Sequence, residues 1–202
     1  MNFKKKTNLF FFLIIIIFCI AFYIIKDVYD DKQYYKHIID ITSEDIYDKT
    51  NSPKDLLRYG KSEIYLNKKS FENGICFINE AIRREPNNPD FYIEAASVCI
   101  YVGEKEKAVN YLVSAEKVLD KEKNIHNKSY RYFNIAQRYN KLKMYEDSLR
   151  NYKKCLQNQP DDKIYNKDGT YVIDKGYRQN IINHIQKIEK YLQNRGNNNK
   201  KF

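Results

Sequence analysis

The chain has 202 residues, 43% apolar and 31% charged, a composition that buries a core and excludes a disordered chain. Nineteen tyrosines and eleven phenylalanines stand against six glycines and four prolines, too few turn-formers for a sandwich or barrel, so long helices are expected. The net charge of +10 gathers at the two ends, in Lys4, Lys5 and Lys6 and in the cations of residues 187–202, which leaves no basic folded face and argues against nucleic-acid binding.

Residues 1–8 carry the three lysines, and residues 9–25 follow as seventeen residues without a charge. As a helix this run spans roughly 25 Å, the short edge of what crosses a bilayer. Two readings apply, a retained membrane anchor or a cleaved signal peptide. Cys19 and Ala21 have the size and spacing that a signal peptidase requires, whereas Phe22, Tyr23, Ile24 and Ile25 prolong the apolar run past that cut and favour an anchor. Phe18 before Cys19 argues against lipid attachment. Lys26, Lys32 and Lys36 are diluted by Asp27, Asp30 and Asp31, so the charge balance puts the N-terminus in the cytoplasm and the rest of the chain outside. Residues 26–54 form a juxtamembrane segment, in which Tyr35, Ile38, Ile39 and Ile46 predict a helix over about 28–48.

Residues 55–162 contain an internal repeat. Copies 55–88, 89–122 and 129–162 align small residues (Ser62, Ala96 and Ala136; Gly74, Ala108 and Ser148; Ala81, Ala115 and Cys155) and large ones (Tyr65, Cys99 and Tyr139; Ile78, Leu112 and Tyr152; Phe71, Lys105 and Tyr145). The offset is 34 residues and then 40, the extra six falling between Asp120 and Ser129. A small side chain in each helix of a pair lets the backbones approach closely. Pro86 and Pro160 end second helices, because proline lacks the amide and clashes with the preceding turn. This register resembles the tetratricopeptide repeat (TPR), a helix-turn-helix unit with small residues at its crossings, an aromatic in its first helix and a proline at its end. The resemblance covers about half the chain and implies an all-α solenoid of three TPR-like repeats. Copy one reads as a terminal repeat: Lys61 stands where Ala95 and Ile135 are apolar, Arg58 where Tyr92 and Tyr132 are aromatic. In copy two Asp120 replaces the proline.

A stack of repeats needs capped ends. Tyr177, Ile181, Ile185, Ile188 and Leu192 recur at helical spacing, so residues 163–193 are a loop and a capping helix, the helix over about 173–193. Before it, Asp168 and Gly169 between Ile164, Tyr165 and Tyr171, Val172 suit either a small hairpin or a plain loop. The tail 194–202 has nothing to bury and is expected to be disordered.

No phosphate loop, nucleophile elbow or paired metal-ligand spacing occurs, and His37, His126 and His184 are scattered, so neither an enzyme, a metal site nor a cofactor is expected. Cys76, Cys99 and Cys155 are odd in number. Cys99 and Cys155 read as packing residues in repeat slots, and a Cys76–Cys99 bridge across the copy boundary is the alternative.

The resemblance implies that function resides on the concave face, lined by first helices. Carried over position by position it points to Tyr59, Glu63 and Leu66; to Ile93, Ser97, Ile100 and Tyr101; and to Tyr130, Phe133, Gln137 and Lys141. Rings and aliphatics among a few polar groups suit a protein or peptide partner, although part of this set is expected to pack between helices or on the cap. The family's clamp for terminal carboxylates is absent, since its positions hold Tyr59, Glu63, Glu94, Tyr130 and Asn134. The expectation is a membrane-anchored TPR scaffold or adaptor serving assembly, secretion or envelope maintenance; the alternative is a cleaved, exported effector.

Overall fold

The structure is a computed structural model describing Gln33 and residues 52–122, 128–159, 163–165, 171–173 and 175–198. Six helices form three antiparallel pairs: α1 (Pro53–Leu66) with α2 (Phe71–Arg84), α3 (Pro89–Val102) with α4 (Lys105–Lys121), and α5 (Lys128–Lys141) with α6 (Tyr145–Gln157). A hairpin of β1 (Lys163–Tyr165) and β2 (Tyr171–Ile173) follows, then the long α7 (Lys175–Asn198), which packs on α6. The strands are antiparallel, with Ile164 opposite Val172 and Tyr165 opposite Tyr171. This selects the hairpin over the plain loop.

Among the described residues no helix is long and apolar enough to cross a membrane. Residues 9–25 lie outside the described set, as does the predicted helix 28–48 apart from Gln33, which is helical.

The ends of the helices are written in local chemistry. Ser52 and Asn88 accept from the backbone N–H of Asp55 and Asp90, each followed by a proline at the first helical position, where a missing N–H costs nothing. Gly103, at φ 96°, ends α3 by returning its N–H to Cys99 and Ile100, and Lys143, at φ 61°, takes the corresponding place in copy three. Copy one has no such left-handed residue; its turn runs through Asn67 and a 3-10 segment, Lys68–Ser70.

That longer turn corrects the sequence register. It draws α1 back by two residues relative to α2, so Gly60 rather than Ser62 faces Gly74, whereas in copy three Ala136 opposes Ser148, whose hydroxyl donates to the Ala136 carbonyl at 2.8 Å. The oddities of copy one follow. Leu56, Leu57 and Ile64 are buried, Arg58 is exposed, and Lys61 pairs with Glu94 of copy two at 2.5 Å. Tyr65, aligned with the buried Cys99 and Tyr139, is turned only partly inward.

The core forms two adjoining clusters. One joins α1 and α2 with Phe91, Ala95, Val98, Cys99 and Ala108; the other joins Ile93, Ala96 and Leu112 with α5, α6 and Ile181, Ile185 and Ile188 of α7. Helix α3 contributes to both and is apolar on the two faces that do so, with Asp90, Glu94 and Ser97 on the side between. Charged staples stitch the pairs. Arg131, its side chain 13% exposed, holds Asp90 at 2.9 Å and Glu122 at 2.9 Å. Asp120, standing where the repeat has proline, accepts from the Tyr132 hydroxyl and from Lys154 at 2.9 Å, so a polar tie replaces a chain break. Cys76, Cys99 and Cys155 are free thiols: Cys99 and Cys155 are buried packing residues, and burial pushes the Cys99 thiol up to about 11.

Helix α7 continues to Asn198, past the start of the predicted disordered tail at 194. Its last described side chains, 194–196, are exposed; each added residue closes one further backbone hydrogen bond on an existing helix, which requires no burial.

Candidate functional site

The concave face between α3 and α5 carries two adjoining clefts that share Glu94, Asn134 and Arg138. The first, about 440 Å³, is lined by Tyr65, Glu94, Ser97, Ile100, Tyr101, Asn134, Gln137, Arg138 and Lys141. The second, about 340 Å³, adds Asp90, Ile93, Tyr130 and Arg131. Residues on α3 and α5 reach the clefts at helical spacing, three or four apart, because one face of each helix looks into the concavity.

Of the residues expected there, Ile93, Ser97, Ile100, Tyr101, Tyr130, Gln137 and Lys141 line these clefts. Tyr101 and Tyr130 remain 41% and 56% exposed. Tyr101 is braced, its ring edge-on to Tyr65 at 4.9 Å and the Lys68 ammonium 4.3 Å above it. Such a ring is an anchor with little entropy left to lose.

The others go elsewhere. Phe133 turns away from the clefts to the cap, its ring 5.7 Å from Tyr152 and 5.6 Å from Tyr177. Tyr59 packs edge-on to Phe77 at 4.7 Å, a consequence of the two-residue shift of α1. Glu63 and Leu66 line neither cleft. Their carry-over assumed one register for all three copies, and copy one departs from it.

The same shift brings in Tyr65, which sequence reasoning assigned to packing. Arg138 was missed altogether. Its signal is its repeat position: it falls where Val98 stands in copy two, and Val98 is fully buried. A guanidinium at an apolar slot needs an outlet, and the groove is that outlet.

Half-buried Arg138 donates through Nε to Ser97 Oγ at 2.7 Å and through Nη1 to the Asn134 carbonyl at 3.0 Å. Ser97 Oγ in turn donates to the Ile93 carbonyl at 2.8 Å, which fixes its lone pairs toward the arginine. Among the described residues no carboxylate forms a salt bridge with Arg138. Glu94, on the same wall, is engaged by Lys61. Burial pushes the Arg138 guanidinium down from its ordinary value, with the more distant Glu94 opposing the shift. Lys141, exposed at the cleft mouth, likewise has no salt bridge among the described residues.

The face therefore presents an exposed ring near each end and a held cation between. Among the described residues no group of histidine, cysteine, aspartate and glutamate is placed to hold a metal ion. No curated protein matches the chain. The family model described as tetratricopeptide repeat matches residues 130–162, the α5–α6 pair with its flanks, so the third copy is similar to that repeat, and the paired helices before it repeat its architecture.

Proposed function

We propose that this chain is a membrane-anchored scaffold or adaptor that holds a segment of a protein partner in the groove between α3 and α5. The repeat similarity supports a protein-interaction role. The single observation that carries the site is the pairing of two exposed rings, Tyr101 and Tyr130, with the polar floor of Ser97, Asn134 and Arg138 between them, since an interaction surface combines aromatic anchors with a few placed polar groups. The role is binding rather than catalysis, in assembly, secretion or envelope maintenance. The apolar run 9–25 retains the protein in a membrane with residues 1–8 in the cytoplasm and the repeats on the other side. Its sequence supports this, because Phe22 to Ile25 extend it beyond the candidate cleavage site.

The test places a photo-crosslinking amino acid at Tyr101, at Lys141 and, as a control, at Val113, which is exposed on α4 outside both clefts. In the producing cell the groove positions are expected to give one discrete adduct that position 113 does not, and equal labelling from all three would sink the groove assignment. Intact mass and carbonate extraction of the same protein decide the anchor. A full-length chain in the membrane pellet supports it. A soluble product beginning near Phe22 selects the second reading, the exported effector favoured by Cys19 and Ala21.

A further inference from the structure

We infer that the groove selects a partner segment carrying an acidic side chain, with Arg138 as the seat of its carboxylate and the Tyr65–Tyr101 ring pair taking the apolar residue beside it. This rests on the groove reading above and names the chemistry of its occupant.

The charges of the concavity show why. Lys61 and Glu94 neutralise each other. Arg131 is consumed by Asp90 and Glu122. Arg138 and Lys141 remain, both on α5, three residues apart and so on one face. Arg138 is held rather than free to swing: Nε and Nη1 are committed to Ser97 and Asn134, which leaves Nη2 with no hydrogen-bond partner among the described residues. A half-buried guanidinium with no salt bridge is a costly arrangement to keep for stability alone, because two hydrogen bonds and the more distant Glu94 offset its desolvation only in part. A carboxylate arriving at Nη2 supplies the missing hydrogen bond and the missing charge together, and charge-assisted bonds of this kind are the strong ones. Lys141, exposed at the mouth, adds attraction during approach rather than a fixed contact.

The neighbouring wall is apolar. Tyr65, Ile100 and Tyr101 line the same cleft as Arg138, so the occupant pairs an aspartate or glutamate with an aromatic or aliphatic neighbour. This seat is distinct from the clamp for chain-terminal carboxylates considered in the sequence, none of whose positions is Arg138; an internal side chain satisfies it.

The experiment selects peptides from a phage-displayed library of random short sequences on the full chain in detergent, then measures synthetic peptides by fluorescence anisotropy. The selected peptides are expected to be enriched in aspartate or glutamate beside an apolar residue. Replacing that acid by its amide is expected to weaken binding about tenfold or more. Arg138→Gln weakens the acidic peptide to the same extent and leaves the amide peptide unchanged, Arg138→Lys restores part of the loss, and Lys141→Gln makes binding less sensitive to salt. Peptides that lose affinity in Tyr101→Ala but bind equally well as acid or amide would overturn the acid seat while leaving the groove intact. Selection of no peptide weakened by Tyr101→Ala overturns the groove and the seat together. The acid-to-amide exchange is made in the peptide, so it decides the matter even if Arg138→Gln fails to fold.

Discussion

Gly60 shows how much one missing methyl group can hold together. An ideal Cβ there would lie inside contact distance of the Gly74 carbonyl oxygen and 2.9 Å from Ile78 Cγ1, and one on Gly74 would lie 2.5 Å from both the Gly60 carbonyl oxygen and Ile64 Cγ1. Alanine is the better helix former by about 1 kcal/mol, yet at this crossing the neighbour is backbone and cannot swing aside. Gly60→Ala is therefore expected to destabilise the protein by about 1–3 kcal/mol, read as a lower denaturant midpoint with unchanged slope. Gly196→Ala, on the exposed end of α7 with nothing within 4 Å, is expected to change stability in the opposite sense by a few tenths of a kcal/mol. The same pair marks the limit of what residue sizes reveal. Ser62, Ala96 and Ala136 align by sequence, but Ser62 fills its place by returning its hydroxyl to the Arg58 carbonyl at 2.9 Å, and the close approach belongs to Gly60. Nothing in the alignment weighs the length of the turn that follows.

The elements of copies two and three were legible in the sequence because each break has a local cause: Asn88 with Pro89 starts α3, Gly103 ends it, and the small residues recur where helices cross. The groove was legible where it is built from α3 and α5, and misread where it depends on α1, since a helical face moves with any change in the turn leading out of it. Arg138 was hidden for another reason. Charge at an apolar repeat position reads as an imperfection until its partners Ser97 and Asn134 are seen. Between elements, the Arg131 staple is the joint to test, for it ties the start of α3 and the end of α4 to α5 beside the six-residue extension. Arg131→Gln is expected to cost about 1–3 kcal/mol, less than a fully buried pair, because Asp90 is 39% exposed and water screens it. Asp90→Asn should cost less than Arg131→Gln, since Arg131 keeps Glu122. Equal losses in urea denaturation would contradict a staple with two independent arms.

At the scale of the molecule, α7 closes the stack. Ile181, Ile185 and Ile188 are buried against the α5–α6 core, Lys153 reaches Glu189 at 2.8 Å, and the His184 ring stacks on Tyr152 with an interplanar angle of 3°. Burial first, and Lys187 second, push the His184 imidazole below its ordinary value of 6.5. The folded protein thus binds that proton less well than the unfolded chain, so stability contributed by neutral His184 is present above about 6.5 and is lost as pH falls through the folded value. The thermal midpoint of the wild type is expected to drop over this window, and that of His184→Phe to stay flatter across it; parallel curves would exclude the histidine. The two-sided α3 carries a consequence for the order of synthesis. The cluster around α1 and α2 takes its last fully buried member from Ala108, whereas the cluster around α5 and α6 waits for Ile188. On a ribosome the first half can close while the second is still being made, and the α3 surface bearing Ile93 stays bare through that interval. The nascent chain therefore has a sticky middle, exposed until α5 emerges and docks on α3, and it is in that window that a chaperone has most to do.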